Sequence, residues 1–152
     1  MRTRNSPRKI DRHAYLVILD DLDRLMLCAA CCGGWTVPRV PVDSGSDFED
    51  AATSFLAEHF GIRDPRYGST YGVHQTQSGE CWEYDNPSIS HVFTVRITLE
   101  ESHSLQLISP AHTPWGIEEV KSRYAAVYPA GIILLASGYL EGWLPDGPIS
   151  FE

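Results

Sequence analysis

The chain has 152 residues, 43% of them hydrophobic and 21% charged, with a net charge of −8. These proportions exclude wholesale disorder, a collagen-like repeat and a coiled coil, and the length suits one domain whose core needs no metal or disulfide staple. The charge is uneven: Arg2, Arg4, Arg8, Lys9 and Arg12 against Asp11 leave residues 13–152 strongly acidic, so nucleic acid is not expected as a partner.

Residues 1–12 read as a basic, solvated arm and residues 13–152 as a single domain. His13 to Leu19 and Arg24 to Ala30 are β-rich apolar runs separated by Asp-Asp-Leu-Asp, which predicts a hairpin. The first run ends at Asp20-Asp21, too soon for an export signal. Ala130 to Ala136 is far shorter than the roughly 20 residues of a membrane span. A cytoplasmic protein with no membrane partner is expected. In that reducing setting Cys28, Cys31, Cys32 and Cys81 read as thiols and not disulfides, and Cys28 and Cys31 as buried small hydrophobes despite their C-x-x-C spacing.

Next comes an irregular, glycine- and proline-bearing loop, Gly33 to Gly45, long enough to suspect function. A helix is predicted from Ser46 to Phe60, because Ser46-Asp47-Phe48-Glu49 fits a capping box and Gly61 is placed to end it. Strands are predicted at Tyr67 to Gln75, His91 to Leu99 and Ser104 to Ser109, with a polar, aromatic-bearing loop around Glu80 to Pro87. Helices are predicted at Ile117 to Val127 and from about Ala130 to Trp143. This order predicts an α/β protein, a sandwich of helices on a mixed β-sheet.

The loop and helix from Gly33 to Ile62 carry a family resemblance. Trp35-Thr36-Val37-Pro38, Gly45, Ala51-Ala52, Leu56, Glu58, Gly61 and Ile62 resemble the Nudix hydrolase family, whose box reads G-x5-E-x7-R-E-U-x-E-E-x-G-U, with U a bulky apolar residue. Trp115-Gly116-Ile117-Glu118-Glu119-Val120 extends the likeness, which implies a Nudix-like α/β/α sandwich. Aligned on Gly61-Ile62, the box has Val40 at its first glycine, Ser46 at its first glutamate, Ser54 at its arginine, Phe55 at the next glutamate and His59 at the last. Glu58 alone of the acidic positions remains, and the box is degenerate.

Positions 55, 58 and 59 lie within one helical turn, so their side chains share one patch. Carboxylates there would hold Mg²⁺ or Mn²⁺, which prefer oxygen ligands, and polarise the attacking water. Phe55 and His59 remove two of those charges. Two readings of the remainder stay open. In one, Glu58, His59 and His112 form an altered acid/base set, with Glu58 and His59 ligating a softer ion such as zinc. In the other, His59 is packed on the stripe Phe48, Ala52, Phe55 and His59, and no cofactor is required.

Arg39 stands where the family has a glycine that lets the backbone approach a diphosphate. Its guanidinium is either a forked phosphate donor or a surface charge balancing Asp43 or Asp47. Trp35, Trp82, Tyr84, Tyr71 and Trp115 offer faces for a base or another flat ring, or else pack in the core. His74 and Cys81 flank the same loop as Trp82.

The expectation that follows is a Nudix-fold protein deficient in Mg²⁺-dependent diphosphate hydrolysis, binding a small nucleotide-like or flat aromatic ligand or acting as a regulatory module. The alternatives are an active hydrolase of nucleoside-diphosphate derivatives, a tailoring enzyme with an altered acid/base site, and a scaffold without a ligand. A homodimer is the base-rate expectation for the assembly.

Overall fold

The run after His13 is apolar at nearly every position because both of its faces are covered. The computed structural model describes residues 11–30, 33–76, 88–122, 127–128, 131–142, 144 and 147–150. In it, β1 (Asp11–Leu19) lies inside a mixed sheet. Side chains alternate across a strand. Ala14, Leu16 and Ile18 therefore join one core cluster, and Tyr15, Val17 and Leu19 join another on the opposite face.

Around β1 the chain adds β2 (Arg24–Ala29), β3 (Trp35–Thr36), β4 (Arg39–Pro41), β5 (Arg66–Thr76), β6 (Ser88–Arg96), β7 (Thr113–Gly116), β8 (Val127–Tyr128) and β9 (Gly147–Ser150). Their order across the sheet is β8-β3-β2-β1-β6-β5-β9, with β4 on β1 and β7 on β2. β1 and β6 run parallel over nine residue pairs, from Asp11↔Ser88 to Leu19↔Arg96. β5 pairs antiparallel with β6 and parallel with β9.

The expected hairpin is present as a tight antiparallel end, Leu19↔Leu25, turning through Asp23 in the left-handed region (φ 58°). Beyond that end the strands part: β4 pairs with β1, while β3 and β7 pair with β2. The glycine- and proline-bearing loop thus contributes two short strands that its composition concealed. Asp20, 1% exposed, locks the turn. Its Oδ1 accepts from the amides of Leu22 and Arg24, and its Oδ2 from the Arg24 guanidinium and the Ser102 hydroxyl.

α1 (Phe48–Phe60) packs Phe48, Ala52, Leu56 and Phe60 on the sheet face formed by Ala14, Leu16, Ile18, Phe93 and Val95. Its N-cap is Asp47, one residue later than the capping box predicts, accepting from the Asp50 amide at 3.0 Å. Gly61 ends it at φ 71°, as expected, and the amides of Gly61 and Ile62 both reach the Leu56 carbonyl.

The predicted strand Ser104 to Ser109 is instead part of a helix, α2 (Leu99–Ile108). Thr98 and Glu101 cap it reciprocally: Thr98 Oγ1 accepts from the Glu101 amide at 3.0 Å, and Glu101 Oε1 from the Thr98 amide at 2.8 Å. The same cap explains why β6 stops at Arg96 and not at Leu99.

The predicted helix over Ile117 to Val127 is also shorter. α3 (Ile117–Ser122) ends before β8, whose two residues pair with β3. α4 (Ile132–Glu141) lies within its predicted bounds, between Gly131 and Gly142 in the left-handed region. Ile117 and Val120 of α3 with Ile132, Leu135 and Ala136 of α4 cover the second sheet face. The architecture is an α/β/α sandwich on a mixed sheet. Among the described residues no helix is long and apolar enough to cross a membrane.

Candidate functional site

On α1, Phe55 is half-buried while Glu58 and His59 are exposed. The His59 imidazole stacks on the Phe55 ring, with centroids 4.5 Å apart and planes 30° apart. Phe55 also meets Phe60 edge-on at 5.2 Å, and Phe60 meets His112 edge-on at 5.2 Å. His112, before β7, lies 2.8 Å by Nδ1 from the Ser109 hydroxyl. The two imidazoles are therefore attached to opposite ends of an aromatic run, Phe55 to Phe60. The buried stripe of α1 is Phe48, Ala52, Leu56 and Phe60, so His59 contacts Phe55 from outside the core.

Among the described residues, no three His, Cys, Asp or Glu side chains gather closely enough to hold a metal ion. The flank carries one carboxylate, Glu58, beside an apolar ring and an imidazole. Hard cations such as Mg²⁺ favour several oxygen donors, and this donor set does not fit one.

The other predicted residues lie elsewhere. Arg39 is opposite Tyr15 in the β1–β4 register, while its neighbour Val40 joins the α1-side core. Alternation places the Arg39 side chain on the α3/α4 face, away from Glu58. Its charge contributes there to lowering the His13 pKa. Trp35 packs against Trp115, centroids 4.8 Å apart, beside the α3/α4 core. Trp115 Nε1 also donates to Thr113 Oγ1 at 2.9 Å.

Trp82, Tyr84, Cys31, Cys32 and Cys81 lie outside the described residues, as do the side chains of Tyr71 and His74. Cys28 is half-buried on β2, and burial pushes its thiol pKa up, the opposite of an activated nucleophile.

An unforeseen open cleft of about 340 Å³ lies between the start of α1 and strands β5 and β6. Asp47, Phe48, Glu49, Tyr67, Gly68, His91 and Phe93 line it. The Phe48 and His91 rings stack at 3.8 Å and 8°. Tyr67 meets Phe93 edge-on at 5.6 Å, and its hydroxyl lies 2.8 Å from Thr53 Oγ1. The β5–β6 register shifts between Tyr67 and Tyr71, and Gly68 lies in that irregularity. A Cβ there would run into Thr94 Oγ1 and the Tyr139 ring, so the close approach requires glycine. Alternating ring side chains on β6, His91 and Phe93, were the one sequence signal for this cleft.

Burial lowers the pKa of His13, His91 and His112; Arg39 adds to this at His13 and Arg12 at His91, while Asp11 and Asp47 oppose. These bases are neutral in the folded chain where the unfolded chain, near 6.5, already takes up protons. Their stabilising contribution is complete above that unfolded value and is lost as pH falls through the lower folded values. The melting temperature should therefore drop between pH 7.5 and pH 5, and the drop should shrink in the His13→Gln/His112→Gln variant. An identical slope in that variant would contradict the assignment.

By sequence, no family model and no curated protein matches this chain. By structure it is similar to the Ap4A hydrolase of C. elegans, with a TM-score of 0.61 and 19% identity over 87% of this chain and 99% of that one. It is also similar to a MutT/Nudix family protein of Listeria innocua (TM-score 0.61, 13% identity, 88% of this chain and 95% of that one). The E. coli ORF135 protein gives 0.60 at 20% identity, over 91% of this chain and 95% of that one. The chain has the Nudix fold.

Proposed function

We propose that this chain is a Nudix-fold domain that no longer performs Mg²⁺-dependent diphosphate hydrolysis and works by binding a small flat ligand, nucleotide-like or aromatic, or as a regulatory module. The observation that carries this reading is the Phe55–His59 ring pair at 4.5 Å, which stands where the box chemistry calls for two carboxylates. Glu58 alone supplies too few anionic oxygens to hold a hard cation and neutralise a phosphoanhydride. Arg39 on the far sheet face is not positioned to replace the missing positive charge. The net charge of −8 supports a protein without a nucleic-acid partner.

Likeness of fold to an Ap4A hydrolase carries no activity by itself, since function resides in the site. It does choose the first substrate to try. Formation of AMP and ATP from Ap4A, and of nucleoside monophosphates from a panel of nucleoside-diphosphate derivatives, with Mg²⁺ or Mn²⁺, is expected to stay at the buffer level. Metal-dependent turnover abolished by Glu58→Gln would overturn the proposal.

A further inference from the structure

We infer that the cleft between the start of α1 and strands β5 and β6 is a binding site for a flat aromatic cation, such as a protonated heteroaromatic ring or an aryl amine. The inference rests on the reading of the chain as a binding module, but on different residues. Its walls are rings: Phe48, Tyr67, His91 and Phe93. About 340 Å³ has room for two or three fused rings, within the range of small-molecule sites.

The rim decides the charge of the ligand. Asp47 and Glu49 line the cleft, and both are exposed at the first turn of α1. The charges of Glu49 and Asp50 are felt at the Tyr67 hydroxyl. Among the described residues, no lysine or arginine lines the cleft directly. Arg12 lies 4.4 Å from the Phe48 centroid, and since His91 occupies one face of that ring at 3.8 Å, Arg12 covers the other. It also donates from Nη1 to the Asp43 carbonyl. Among the described residues a diphosphate would meet two carboxylates against one guanidinium, that of Arg12, whose charge is felt at His91, whereas an aromatic cation meets a net negative rim and an aromatic lining together.

The cleft is also separate from the box patch. At about 100° per residue, Glu49 and Thr53 lie about 80° to 160° around α1 from Phe55 and His59. Thr53 is tied to Tyr67 of β5, while the Phe55–Phe60 run leads to His112. The two flanks of one helix thus face different surroundings.

The test is a fluorescence titration of the full chain with proflavine, a flat tricyclic cation, at 150 mM salt without divalent metal. Saturable one-to-one binding is expected, weakened about tenfold or more in Asp47→Asn/Glu49→Gln, which keeps a side chain able to cap α1. The charge-matched Asp64→Asn/Glu118→Gln variant should bind like the unmodified chain, and ADP should not displace the dye. Equal weakening in both variants, displacement by ADP, or absence of saturable binding would overturn the inference. The parent reading is judged separately by metal-dependent turnover. Turnover together with the dye difference would remove that reading and keep the cleft; no turnover and no dye difference would remove the cleft alone.

Discussion

Replacing Asp20 by alanine should destabilise the fold by about 3 kcal/mol, a large share of the 5–15 kcal/mol typical of a domain. The carboxylate is 1% exposed and accepts from two backbone amides at 2.9 and 3.0 Å, from the Arg24 guanidinium at 2.9 Å and from the Ser102 hydroxyl at 3.3 Å. Removing it leaves the buried Ser102 hydroxyl and the two turn amides without their acceptor. Each unsatisfied buried donor costs about 1–3 kcal/mol, reduced here because the Arg24 side chain is 29% exposed and rehydrates. The loss also removes one of the ties between the β1–β2 turn and α2, that to Ser102, leaving the Leu99 amide on Asp21. Urea unfolding checks this through the midpoint at constant slope. A loss below about 1 kcal/mol would mean that the turn is held by other contacts.

The second large effect concerns turnover. A positioned general base contributes about 10²–10⁴-fold, and a bound divalent ion adds several kcal/mol of charge stabilisation. In a working box, Glu58→Gln should therefore reduce metal-dependent hydrolysis by about 10²-fold or more. Here, with Phe55 and His59 beside it, the same substitution should leave an already negligible rate unchanged. A Mg²⁺-dependent rate on Ap4A that falls with Glu58→Gln would show that the cation finds oxygen donors elsewhere.

The parts of the fold that local chemistry dictates were legible. Gly61 ends α1 because only a residue free to adopt a left-handed backbone closes that turn cheaply, and β1 betrayed its two covered faces by its continuous apolar run. α2 was misread because Leu105 and Leu107 alternate like a strand, although Thr98 and Glu101 three residues apart carried the opposing signal. Only Ser102 and Leu105 of that helix are buried, so its apolar pattern was weak from the outset.

Site residues depended on pairings that no local pattern encodes. Trp35 and Trp115 read as either ligand faces or core; β3 and β7 both pair with β2, in the registers Ala29↔Trp35 and Leu25↔Trp115, and the two indoles meet. Arg39 read as either a phosphate donor or a surface charge, and a strand's alternation places it on the sheet face opposite α1. The cleft itself is made when β5 brings Tyr67 beside β6 opposite the start of α1, contacts spanning more than 40 residues of chain. Helical spacing alone did bring Phe55, Glu58 and His59 to one flank, as read.

Because the box patch of α1 presents a single carboxylate, Glu58, beside Phe55 and His59, isothermal titration of Mg²⁺ and Mn²⁺ into the full chain should give no saturable heat up to millimolar metal. Stoichiometric uptake at micromolar metal, lost in Glu58→Gln, would contradict this.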